Sequence, residues 1–105
     1  MVKDKILESI KDLLIEVSKE IKSSEIKDER RWADIGKEIA IRQAYPVIEN
    51  SITLDAAKRK IQSMLDDTKR AYTDGVYNFQ PHYWISIGTI RAYNTILGEL
   101  KSFEW

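Results

Sequence analysis

Pro81-His82-Tyr83-Trp84-Ile85-Ser86-Ile87-Gly88-Thr89-Ile90-Arg91-Ala92-Tyr93-Asn94-Thr95-Ile96-Leu97-Gly98-Glu99-Leu100 decides the fold class. Apolar residues at 83, 87, 90, 93, 97 and 100 recur at the spacing of one helix face, and 84, 85 and 96 widen the stripe. A helix apolar over so much of its circumference is mostly buried, so the remaining chain must cover it. Pro81 suits a first helical turn, with Asn78 or Gln80 placed to cap it.

Working outward, three more helices precede this one. Val2, Ile6, Ile10, Leu13, Leu14, Val17 and Ile21 form one face of a helix over 2–22, with Lys, Asp and Glu opposite. A charged turn follows, with Ser24 or Asp28 as caps. A second helix is lined by Trp32, Ile35, Ile39 and Gln43, with Glu38 four residues before Arg42 in the favourable order. Pro46 is expected to kink or end it near Tyr45, because proline lacks the amide hydrogen and clashes with the preceding turn. Thr53 is the expected N-cap of a third helix from Leu54 to Thr73, with Ala57, Ile61, Met64, Leu65 and Tyr72 inward. Asp74-Gly75 supplies its stop.

No alternation of apolar and polar residues persists anywhere, so no strand is expected. The reading is a single all-α domain over 1–105: a four-helix bundle built from two tandem helical hairpins, about 2–49 and about 53–103.

The two halves echo one another. Trp32-Ala33-Asp34-Ile35-Gly36 and Trp84-Ile85-Ser86-Ile87-Gly88 share Trp-x-x-Ile-Gly, 52 residues apart. The preceding helices match at a spacing of 51, pairing Ile6 with Ala57, Ile10 with Ile61, Leu13 with Met64, Leu14 with Leu65 and Ile21 with Tyr72. Trp32 and Trp84 read as anchors at the helix starts. Gly36 and Gly88 read as points where another helix approaches closely, against a propensity cost of about 1 kcal/mol each. The plain alternative is that any two amphipathic hairpins align on their apolar residues.

Composition excludes several chemistries. There is no Cys and one His, which rules out a Cys/His zinc site, a thiol nucleophile and a disulfide framework. No Glu-x-x-His pair, Gly-rich phosphate loop or nucleophile elbow is present, so neither enzymatic activity nor a metal or cofactor is expected. Seventeen basic and seventeen acidic residues cancel, which argues against nucleic acid as a partner. No run is apolar enough to span a membrane. The charged N-terminal run is unlike a signal peptide, so the expected location is the cytoplasm, that of the host if the protein is viral.

Three features suit a binding site. Lys27, Arg30, Arg31, Lys37 and Arg42 gather around the start and outer face of the second helix, where a helix N-terminus also favours an anion. Arg31 is the preferred phosphate ligand, since its forked guanidinium can hold two oxygens. Lys58-Arg59-Lys60 is a second basic run, weighed against a plain charged face with Asp66 and Asp67. Tyr77, Phe79, His82, Tyr83 and Trp84 form an aromatic cluster on which a planar ligand could stack, with Arg91 nearby, or against which another protein could dock. The aromatic faces bearing Trp32, Tyr45, Tyr83 and Tyr93 exceed what a small bundle is expected to bury, which predicts a homo-oligomer.

Arg31-Trp32-Ala33-Asp34-Ile35-Gly36-Lys37, following a helix and a charged turn, resembles the helical hairpin of the phage anti-CBASS cyclic-nucleotide sponges, a hairpin shared with anti-Thoeris sponges. The resemblance covers residues 5–48. It departs at Gln43-Ala44, where that family has Gly-Phe, and at Pro46, which has no counterpart. The second hairpin keeps Trp84, Ile87 and Gly88 without the flanking Arg and Lys. What the resemblance implies is a small oligomeric helical protein that sequesters a cyclic nucleotide without cleaving it. Only scaffold positions match, so no pocket residue is carried over. The alternative expectation is a viral or phage protein-interaction module, an inhibitor or assembly component.

Overall fold

The computed structural model describes residues 2–23, 29–73 and 80–102. The described residues form four helices: α1 Val2–Ser23, α2 Glu29–Asn50, α3 Leu54–Thr73 and α4 Gln80–Lys101. The fold is an all-α four-helix bundle of two hairpins. Lys3 of α1 meets Glu49 and Ser51 at the end of α2, so the first hairpin is antiparallel. The α3 start is capped as its sequence requires, with the Ala56 amide donating to Thr53 Oγ1 at 3.1 Å.

What holds the hairpins together is the pairing of α2 with α4, the most extensive of the helix contacts. Ala33 and Gly36 lie against Ile85 and Gly88, and further along Gln43 meets Tyr93, so the two helices run in the same direction. They are the diagonal pair of an up-down-up-down arrangement, drawn together along a small-residue face. On α2 that face is Ala33, Gly36, Ala40 and Ala44, all buried, and on α4 it includes Gly88 and Ala92. The outcome is a flattened molecule of 41 × 32 × 19 Å, with no contact between α1 and α3 among the described residues.

The two glycines occupy reciprocal places. A Cβ at Gly36 would fall on the Ile85 carbonyl oxygen and 2.8 Å from its carbon; one at Gly88 would fall on the Ala33 carbonyl oxygen and 2.6 Å from its carbon. Ala33 and Ile85 are themselves a repeat pair, as are Gly36 and Gly88. The repeat is therefore a pseudo-two-fold axis running along the α2–α4 seam. The Thr89 hydroxyl bridges it, lying 2.8 Å from the Ile85 carbonyl oxygen and 3.1 Å from that of Gly36, one proton shared between them.

Several expectations need correction. Of the two outcomes expected at Pro46, a kink or an end, the end is excluded, since α2 continues to Asn50. The proline is exposed, so the Arg42 carbonyl left without an amide partner lies on a face that water reaches. Ile39 is 41 % exposed rather than inward, because Ala33, Ala40, Ile41, Ala44 and Ile48 form the buried face. Tyr83 is 38 % exposed, while Ser86, Gly88 and Thr89 take the buried positions near the start of α4. Tyr93 is not surplus aromatic surface: it is 1 % exposed within the single chain. Trp32, Tyr45 and Trp84 are half-buried, as are Ile35 and Ile87. The caps expected of Ser24, Asp28 and Asn78, the Asp74-Gly75 stop and the side chain of Tyr72 lie outside the described residues.

One tie escaped the sequence reading. The last turn of α2 has no basic residue, and Lys3 supplies the cation from α1, its Nζ donating to the Glu49 carbonyl at 2.6 Å and the Ser51 carbonyl at 2.8 Å. A cation at the negative end of a helix satisfies carbonyls that have no intrahelical partner.

Candidate functional site

A groove of about 180 Å³ opens where α1, α2 and α4 converge. Leu13 and Val17 of α1, Ile41 of α2, and Ala92 and Ile96 of α4 form its apolar part. Thr95 adds a hydroxyl, which donates to the Arg91 carbonyl at 3.0 Å and so keeps an accepting oxygen. The rim carries four charges: Lys37 from α2 and Arg91 from α4, opposite Glu16 and Glu20 from α1. The Lys37 ammonium is itself paired with Asp34, buried one turn earlier, with an Nζ–Oδ1 separation of 3.7 Å. Two cations facing two carboxylates do not make a site for a bare polyanion. They suit a ligand with an acidic group at one end and hydrogen-bond donors at the other.

The expected binding residues are thus divided. Lys37 and Arg91, 54 positions apart, are brought to one rim. Arg42 lines a different, shallower groove with Lys11, Leu14, Tyr45 and Pro46, where the Lys11 ammonium lies 5.5 Å from the centre of the Tyr45 ring. The Arg42 guanidinium there pairs with Glu38 at 3.1 Å. Arg31, half-buried at the start of α2, lines neither groove. Tyr83 and Trp84 stack edge to face with centroids 5.2 Å apart at 88°. Tyr77 and Phe79 lie outside the described residues. His82 falls on the first turn of α4, its side chain likewise outside them.

The pseudo-two-fold supplies what sequence reasoning missed. Applied to the groove, it replaces Ile41 by Tyr93, Thr95 by Gln43 and Lys37 by Thr89. At that second place the buried Tyr93 side chain has its hydroxyl donating to Gln43 Oε1 at 2.9 Å. Burial pushes the Tyr93 phenol above the ordinary tyrosine value. The two sites are the same framework with and without an aromatic ring. A signal was present in the sequence, as the repeat aligns Ile41 with Tyr93, but its meaning depends on the seam.

No helix among the described residues is long and apolar enough to cross a membrane. No family model, curated protein or solved structure matches the chain.

Proposed function

We propose that this protein is a non-enzymatic binding protein that captures a small cyclic nucleotide or related anionic signal, in the manner of an anti-defence sponge. The observation that supports this is the meeting of Lys37 and Arg91 at the mouth of a groove with an apolar floor. Cations at the rim hold a phosphate, and the apolar floor receives a base. The carboxylates of Glu16 and Glu20 accept hydrogen bonds from ribose hydroxyls or an exocyclic amine. Calorimetric titration with cyclic di- and trinucleotides and cyclic ADP-ribose isomers tests the reading. Arg91→Ala is expected to weaken binding about 10- to 100-fold, as for loss of a charge-assisted hydrogen bond, with the free protein's melting temperature almost unchanged. If no such ligand binds the wild type below about 100 μM, the sponge reading is wrong.

A second reading, a protein-interaction module or self-associating subunit, draws on different residues. Ile15, Ile39, Ile52 and Tyr83 are all exposed, Ile52 at 92 %. Light scattering at micromolar concentration separates the cases. A mass near the 12.3 kDa of one chain removes self-association.

A further inference from the structure

Ile52 stands at the corner between α2 and α3 with 92 % of its surface exposed. A lone exposed apolar residue is ordinary, but this one sits on a firmly bonded mount. On one side Ser51 is buried, its amide donating to the Ile48 carbonyl at 3.2 Å and its hydroxyl to the Val47 carbonyl. On the other, Thr53 accepts from the Ala56 and Ala57 amides, and Lys3 ties the Ser51 carbonyl to α1. A β-branched side chain on a fixed backbone has little freedom left to lose when it docks. Glu49 and Asp55 lie three residues to either side, both exposed. Neither carboxylate has an ion pair among the described residues.

The complement of this acidic, apolar knob lies on the same molecule. Leu14, Tyr45 and Pro46 line a shallow open groove, and each of them is at least partly exposed, so a side chain can rest on them without displacing the core. Two cations flank it, Lys11 and Arg42. Arg42 already has Glu38, whereas Lys11 lies over the Tyr45 ring and has no carboxylate among the described residues. Arg42, Pro46 and Glu49 recur at i, i+4 and i+7 along one exposed face of α2. The groove therefore leads along the helix to the knob, which lies about 10 Å beyond Tyr45.

We propose that this face is a two-fold self-association surface. Ile52 of each copy seats between Leu14, Tyr45 and Pro46 of the other, with Glu49 against Lys11 at the rim. The two α2 helices are antiparallel and centred on the level of Val47, which sets Ile52 opposite Arg42 and Glu49 opposite Tyr45. The proposal rests on the self-associating reading above and gives it its surfaces. It is independent of the nucleotide reading, because none of these residues lines the groove of Lys37 and Arg91.

Light scattering of the full chain is the test. Between about 1 and 100 μM the mass should climb from 12.3 kDa towards twice that value, with a dissociation constant on the order of 1–10 μM for so small an interface. Ile52→Asp should raise that constant at least about 10-fold, as for loss of an anchor residue. Its melting temperature at the lowest concentration should match the wild type, since Ile52 is outside the core. Glu49→Lys and Lys11→Glu should each weaken pairing, and the double exchange should recover it to within about 3-fold of wild type. A mass fixed at one chain throughout overturns the proposal and the self-associating reading together, and leaves the groove to a different partner. A dimer unchanged by Ile52→Asp, or a double exchange without recovery, overturns the proposal alone. A mass climbing past two chains overturns the closed two-fold arrangement.

Discussion

Tyr93 combines the roles of core filler and hydrogen-bond donor, and its ionisation is tied to the fold. Its phenol is held above the ordinary tyrosine value by burial, so the native state keeps a proton that the unfolded chain releases near pH 10. Stability from this residue is therefore complete below pH 10 and is lost as pH rises beyond it. Tyr93→Phe keeps the ring and removes the proton. Urea unfolding should find the variant about 0.5–1.5 kcal/mol less stable at pH 8, the value of one hydrogen bond, with a shallower fall above about pH 10. Equal slopes in both proteins would show that Tyr93 does not carry the alkaline dependence.

At the scale of the helix, the three glycines of known surroundings are not equivalent. Gly36 and Gly88 have a backbone carbonyl where a Cβ would go, whereas Gly98 has nothing within 4 Å. Gly36→Ala and Gly88→Ala should each force the seam apart and destabilise by roughly 1–3 kcal/mol. Gly98→Ala should stabilise by about 0.5–1 kcal/mol, since it adds helix propensity without a clash. Thermal melts of the three variants check the pattern, and a rise for either seam glycine would show that the helices are not in backbone contact. Much of this was legible beforehand. The bounds of α3 follow from the Thr53 cap and an uninterrupted apolar period, and the special place of the two glycines follows from the repeated Trp-x-x-Ile-Gly. The inward face of α2 was not legible, because Ala33, Ala40 and Ala44 contribute little hydropathy while Ile39 contributes much. Their burial reflects closeness to α4 rather than apolar area. Nor does local pattern place Arg91 beside Lys37, since that proximity exists only once the seam has formed.

For the whole molecule, the pseudo-symmetry separates two kinds of demand. In the half with Tyr93 the ring is buried and its hydroxyl is satisfied from within, and among the described residues no buried side-chain nitrogen or oxygen lacks a partner. The half with Ile41 leaves a groove and four charges at its rim. Equivalent substitutions in the two halves should thus report differently: in melting temperature around Tyr93, and in ligand affinity around Ile41.

The seam joins residues about fifty positions apart, and this fixes when it can exist. A nascent chain can complete the α1–α2 hairpin, including the Lys3 tie to Ser51, while its Gly36 face still has nothing to meet. Only after α4 has emerged can the two parallel helices close, so the most extensive helix pairing in the fold belongs to the end of assembly. Seam substitutions should then act mainly on the rate of opening: in stopped-flow unfolding, Gly36→Ala should accelerate unfolding while changing the refolding rate little. A refolding rate that falls in step with stability would instead place the seam in the folding nucleus.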